Sequence, residues 1–598
     1  MFGTVGERMV SEKKKDVAKP WILFALIGLL ILFRFLLAAG LGNTINSEAG
    51  YDDGWFVNSS YLHSYVTANS AWSMIKSPVY FVFLWFVRKS HIPLWFWSSL
   101  LWLAVSGLCW FIMSRLTKNR KILFFGFIFI LFCPIAFDYR SGLKIYRSMF
   151  MAPWLGLFFE SYLLLTMDFW LKKKVPLKSV FWDIGLVSVT YPIAYLSKED
   201  GLWLLAVLIF TVSACLIRIG VEIAEYLRNN RILNDGFSSL LKRNGVLILL
   251  LALPFCVSFA ANETVRCINE KAFGVRLINS RTEGELAHFA SLVYEIDSSK
   301  RDSIYWAPND ALFSAIEASP TLKNEPELLK RIYKGSFFDL SKEQIHGDFI
   351  PWVILSALAD SKTWESGEKT QAFFGQVNDE IEEAFRQGKL KKQEGRFFLT
   401  KQAGSRSVEE IFNLWPYMVN TLRGSILLDS YKVTMKPSID SNSGTFKKAQ
   451  NTAHEDLFAP ANQANQEQLW NNRKIANGIA ELIFWIYRIM NPLLLLTGFI
   501  SWVYLLLNQF RQISGEPKII YLLSSVFCMI GIWIAYVFVV SWFSEFIFIE
   551  DGLDDWARSI LTFYTAGGIT LQYLTEVFSV LLVFEFFKKL KSTRPLNP

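Results

Sequence analysis

The chain has 598 residues and a formal net charge of +8, yet 52% of it is hydrophobic and only 19% is charged. Mean hydropathy is +0.28, and 52 Phe, 22 Trp and 21 Tyr give an aromatic share of 16%. That apolar load exceeds what a soluble globule buries, so composition excludes a disordered chain, a fibrous repeat and a cytosolic enzyme. The positive balance is not a nucleic-acid signal, because Lys and Arg lie mostly between apolar runs.

Crossing the hydrocarbon core takes about 20 apolar residues. Ten runs are predicted as spans: 21–41, 94–113, 122–137, 149–169, 181–196, 202–217, 246–261, 483–507, 519–540 and 560–587. Segment 1–20 carries Arg8, Lys13, Lys14, Lys15 and Lys19, which places it inside by the positive-inside rule. Alternation then puts the basic loops around Lys118, Lys173, Arg231 and Lys589 inside as well. Both termini are expected in the cytoplasm, in a bacterial plasma membrane. The ten-residue run 78–87 reads as an interfacial helix, since counting it as a span would expose those basic loops outside. The first span lacks a small-residue cleavage site and is expected to be retained.

The fold class expected is therefore mainly α: a polytopic bundle of about ten spans with a mainly helical extracytoplasmic domain. A transmembrane module covers 21–261, with an outer loop at 42–92; the polar domain covers 262–476, and a second transmembrane module and tail cover 477–598. Within the polar domain, 325–332 and 379–385 have helical spacing, whereas 437–468 is polar and poorly periodic and reads as a long loop. Of the cysteines, Cys109, Cys133, Cys215, Cys256 and Cys528 sit in apolar runs and Cys267 stands alone, so no disulfide framework is expected.

Charges that fall outside, against the basic bias, are the informative ones. The first outer loop holds Tyr51-Asp52-Asp53-Gly54-Trp55-Phe56; such carboxylates can serve as a general base, a metal ligand or a solvated helix cap. The second gathers Asp138, Tyr139, Arg140, Lys144 and Arg147. Spacings of four and three place the three cations on one face of a helix, suited to a phosphate or to anionic headgroups. Lys198-Glu199-Asp200 closes a tight outer turn, and Glu550, Asp551, Asp554, Asp555 and Arg558 share the loop before the last span. Arg34, inside the first span, should face the bundle and find a carboxylate such as Glu160, unless it snorkels. No phosphate-binding G-x-x-x-x-G-K-[ST], no G-x-S-x-G and no H-E-x-x-H is present.

Gly50-Tyr51-Asp52-Asp53-Gly54-Trp55-Phe56, the approach Lys76-Ser77-Pro78-Val79-Tyr80, the Arg147 region and Glu199-Asp200-Gly201-Leu202-Trp203 resemble bacterial members of the GT-C superfamily of integral-membrane glycosyltransferases. That superfamily includes protein O-mannosyltransferases and lipid A aminoarabinose transferases. The likeness covers residues 1–220 in outline. Here the acidic pair is Asp-Asp rather than the usual Asp-Glu, and the His-Pro-Pro stretch of O-mannosyltransferases is missing, so protein mannosylation is not implied.

The resemblance implies a polyprenyl-phosphate-linked sugar as donor and a surface glycan, lipid or polymer as acceptor. Asp52 is implied as general base, with Asp53 orienting the acceptor or holding a divalent cation, Mg or Mn. Arg140, Lys144, Arg147 and Arg558 are implied to hold the donor phosphate. Tyr51, Trp55, Lys76, Tyr80, Lys198, Glu199 and Asp200 are expected to line the cavity. A single displacement inverts the anomeric centre. Membrane lipids are the other expected partners and nucleic acid is not one. The alternatives are a ligase or polymerase using diphosphate-linked glycans, and a non-enzymatic glycan or lipid exporter.

Overall fold

In a layer without water, a helix satisfies every backbone group within its own segment, which is why long apolar runs fold this way. The computed structural model describes residues 20–46, 53–229, 235–335, 338–361, 363–433, 443–457, 463–509, 516–551 and 563–593. Among them the chain is mainly helical, and extended residues pair only in isolated bridges.

The first part comprises α1 (Pro20–Leu41), three short helices α2 (Asp53–Ser59), α3 (Leu62–Ala68) and α4 (Val79–Ser90), then α5 (Leu94–Leu116) and α6 (Arg120–Leu131). It continues with α7 (Arg147–Trp170), α8 (Leu177–Tyr195), α9 (Leu202–Asn229) and α10 (Asp235–Phe273). The polar region folds into α11 (Glu285–Glu295), α12 (Asn309–Ala318), α13 (Pro320–Lys323), α14 (Pro326–Tyr333), α15 (Ile350–Ser361), α16 (Gly367–Arg386), α17 (Val408–Phe412), α18 (Trp415–Leu427) and α19 (Gly444–Ala453). The chain then returns through α20 (Gln463–Gln509), α21 (Pro517–Asp551) and α22 (Ile569–Thr593).

Eight described helices are long and apolar enough to cross a membrane: α1, α5, α7, α9, α10, α20, α21 and α22. Helix α7 is buried along nearly its whole length and forms the axis of the bundle, whereas α1 is exposed along most of its length. Gly42 ends α1 with a positive φ of 60° and donates its amide to Ala38, the left-handed cap that glycine permits.

Two predicted spans, 122–137 and 181–196, are not among the eight. Helix α6 has 12 residues, about 18 Å, and stops before Cys133-Pro134, because proline has no amide to continue the ladder. Helix α8 has 19 residues, but the buried polar side chains Asp183, Ser188 and Thr190 dilute its hydropathy. It runs antiparallel to α7: Ser179 meets Asp168 at one end, and Glu199 meets Arg147 at the other.

The chain after α6 reaches that same Arg147 end, where Thr44 bridges Lys144. At the opposite end Asp168 gathers Arg115 at 3.0 Å and Lys172 at 2.8 Å. The run 78–87 forms the 12-residue α4, too short to cross. The boundary drawn at 261 falls inside α10, and the one at 476 falls inside the 47-residue α20.

The long loop read over 437–468 is corrected in part. Residues 434–442 and 458–462 lie outside the described residues, but Ser443 caps α19 by accepting from the Phe446 amide. Phe446, Ala449 and Ala453, spaced by three and four, then bury one helical face. Arg34 is 1% exposed. Its Nε donates to the Leu131 carbonyl at 3.2 Å and its guanidinium stacks on Phe137, so its partners are a carbonyl and a ring rather than Glu160. All six cysteines are free thiols.

Candidate functional site

Two apolar cores meet at the Arg147 end of the bundle. One fills the spans; the other joins Trp55, Phe56, Tyr80 and Tyr146 to Trp306, Trp352 and Phe374 of the polar domain. Most of the charged candidates lie at this seam.

Asp53 opens α2 and is fully buried. Its Oδ2 accepts the Asn46 amide at 2.5 Å, and Lys144 Nζ stands 3.8 Å from its Oδ1. Lys144 is delivered by a tight loop before α7. There Asp138 accepts the amides of Arg140 at 3.0 Å, Ser141 at 3.1 Å and Lys432 at 3.2 Å. Gly142 fits because a Cβ there would lie 2.2 Å from the Ile135 carbonyl oxygen. Thr44 then locks the register, donating to Leu143 at 2.9 Å and accepting from Ile145 at 2.8 Å.

Contrary to what their spacing predicts, Arg140, Lys144 and Arg147 therefore do not share one helical face. Residues 140–146 form turns, and a helix begins only at Arg147. Arg140 is set apart, its Nε donating to the Tyr139 hydroxyl at 2.5 Å. Arg147 instead pairs with Glu199, whose other oxygen accepts the Ser77 amide at 3.0 Å. Burial works to raise the Glu199 pKa, but the charges of Arg147, Lys76 and Arg281 outweigh it and hold the carboxyl at about 2.

Lys76 is buried, 3.4 Å from the Tyr146 hydroxyl, with the rings of Phe56, Tyr146 and Trp352 within 5.7 Å. Trp352 also stacks with Arg281, 5.3 Å from its ring centre, and Arg281 pairs with Asp348. The Ser280 amide donates to the Met74 carbonyl at 2.9 Å, tying the Arg281 loop to the Lys76 segment. Tyr80 packs on Phe56 and Phe150, and its buried hydroxyl has no hydrogen-bond partner among the described residues. Burial, then Asp53 and Tyr146, push that hydroxyl well above its ordinary pKa. Trp55 donates to the Trp72 carbonyl at 3.2 Å. Lys198 and Asp200 pair with each other beside a small cleft lined by Gly201, Tyr536 and Gly567.

The seam thus gathers four cations, Lys76, Lys144, Arg147 and Arg281, around Asp53, Glu199 and Asp348. Tyr51, Asp52, Asp554, Asp555 and Arg558 lie outside the described residues. Arg281, Asp348, Trp352 and Tyr146 were not anticipated. Only Tyr146, next to Arg147, carried a signal, whereas Arg281 and Asp348 are ordinary charges in a polar stretch. Among the described residues no group of three His, Cys, Asp or Glu side chains converges. A lysine ammonium and a backbone amide beside Asp53 do not suit a divalent cation. Chemically, the arrangement can bind an anion beside a buried carboxylate, with aromatic walls excluding water. Comparison with known proteins finds no family model, no curated protein and no solved structure that matches this chain.

Proposed function

We propose that this is a multi-pass membrane glycosyltransferase that moves a sugar from a polyprenyl-phosphate donor to an extracytoplasmic glycan, lipid or polymer acceptor. The observation that carries the reading is the cluster of buried Lys76, Lys144 and Arg147 with half-buried Arg281 at one end of an apolar bundle, beside Asp53. A lipid-linked phosphate brings its anion to a membrane surface, where guanidinium and ammonium groups can hold it and stabilise the charge of departure.

In this reading α6 with its following turns and α8 add two crossings to the eight, making ten, and both termini lie in the cytoplasm. Asp52 takes the acceptor hydroxyl proton as the acceptor oxygen bonds to the anomeric carbon. The bond from that carbon to the phosphate oxygen breaks with inversion, and the phosphate leaves with the electron pair. Asp53, the next residue in the chain after Asp52, is itself anchored to Asn46 and Lys144. Four cations fit a diphosphate as well as a monophosphate, so donor preference separates a transferase from a ligase.

The test is Asp52→Asn in membranes supplied with polyprenyl-phosphate sugar. Transfer should stop while protein level is unchanged, and normal transfer removes Asp52 from the mechanism. Movement of the lipid substrate across the membrane without a new glycosidic bond would favour an exporter.

A further inference from the structure

Val408 and Phe412 lie one turn apart on α17, and Trp415 and Val419 one turn apart on α18; Asn413 and Leu414 between them keep right-handed helical dihedrals, so the second pair continues the face of the first. The four are 53%, 76%, 65% and 42% exposed. The opposite face is covered: Leu414 is buried, and Met418, Leu422 and Ile426 pack against the core of the spans.

This element is fixed to the spans at both ends. Asn491 of α20 donates to the Ile426 carbonyl at 3.0 Å and Arg488 to the Leu428 carbonyl at 3.1 Å. At the other end, the buried Arg406 pairs with Glu545 of α21 and donates to the Trp542 carbonyl at 2.8 Å. Trp542 returns a bond to the Gly404 carbonyl at 3.0 Å. Beside α18, helix α20 also exposes Leu482, Trp485 and Ile489. The stripe therefore lies on an element packed against membrane-crossing helices that expose apolar side chains of their own, and an exposed apolar patch in such a setting marks a binding surface.

We propose that α17 and α18 form an interfacial helix that seats Phe412, Trp415 and Val419 in the lipid leaflet at the Arg147 end of the bundle. Tryptophan favours the headgroup boundary. Arg423 follows Val419 by one turn and is exposed, 3.2 Å from Asp429. Its long side chain can lay the apolar stem along the leaflet while keeping the guanidinium at the level of the phosphates. The helical domain is thereby held against the membrane by lipid contacts as well as by its two connecting helices.

The experiment places spin labels at F412C, W415C and V419C in the full chain, with Cys256, Cys267 and Cys528 changed to serine. The protein is reconstituted in nanodiscs of phosphatidylethanolamine and phosphatidylglycerol, with E317C on the exposed face of α12 as the aqueous reference. The ratio of oxygen to nickel-chelate collision rates should be about tenfold higher at the three stripe positions than at 317. Equal ratios overturn the proposal by placing the stripe in water, and dipolar broadening between labels overturns it in favour of a second copy. Benzoylphenylalanine at 412 in the otherwise native chain guards against misfolding of the cysteine variants. Crosslinks to lipid support the proposal, and crosslinks to protein alone overturn it.

Discussion

Arg147, the first residue of α7, and Glu199, in the turn before α9, form an ion pair in which each side chain is only 5% exposed. Through Ser77 the same carboxylate also holds the segment leading into α4. Its depressed pKa means that its stabilising contribution is present above the ordinary carboxyl range and is lost only as pH falls toward about 2. Glu199→Gln leaves Arg147 buried without its counter-charge and should cost about 3–5 kcal/mol. The double variant Arg147→Met, Glu199→Gln should recover part of that loss. Denaturation in detergent micelles measures the cycle, and strictly additive losses would mean the two residues do not act as a pair.

Lys144 and Arg140 should separate in function although four residues apart. Lys144 faces Asp53, while Arg140 is committed to Tyr139. Lys144→Met should raise the donor KM at least about tenfold, the loss of one charge-assisted hydrogen bond. Arg140→Ala should leave it nearly unchanged. Kinetics with a polyprenyl-phosphate sugar decide, and the reverse ranking would move the anion site to the Tyr139 side of the loop.

Gly142→Ala probes how the loop places Lys144. The added methyl would meet the backbone of Ile135 and Ala136 rather than a side chain that can swing away. The variant should lose about 1–3 kcal/mol and resemble Lys144→Met in its donor kinetics. Wild-type donor kinetics in a destabilised protein would uncouple the loop from the site.

Glu455 should make stability fall with rising pH. Burial pushes its carboxyl up to about 7, although the Asn43 amide and Arg473 pull it down. Since the folded pKa exceeds the unfolded one, the folded state binds the extra proton. The contribution is full below about pH 4.5 and is lost as pH rises through about 7, at most roughly 3 kcal/mol. Glu455→Gln should flatten the melting temperature between pH 5 and 8, approximate bounds that bracket the folded pKa. An unchanged slope would assign the dependence to another group.

The spans were legible because apolar length is a strong signal, and the exceptions have physical causes. Helix α8 buries Asp183, Ser188 and Thr190 against its neighbours, so its composition falls below that of a lipid-facing helix. Helix α19 is ten residues long and buries three apolar side chains within a polar stretch, too little for periodicity to register. In the site, Asp53, Lys144, Arg147 and Glu199 stood out as charges against the expected bias of their side. Arg281 and Asp348 had no such contrast, being acidic and basic residues in a region full of both. Arg140 misled because spacing of four implies a common face only on a helix, and Asp138 turns the chain before one begins.

The helical domain is entered through α10 and left through α20, 39 and 47 residues without interruption. Each runs as a helix from the bundle into the domain, and its interior proline, Pro254 or Pro492, lies within the apolar span, so a bend is provided for inside the bundle rather than at the attachment. Tilting the domain must bend or turn these helices inside the membrane, and force applied to the domain arrives at the spans as torque. Domain and bundle should accordingly melt in one cooperative transition, and the interior of neither helix offers a protease a linker to cut.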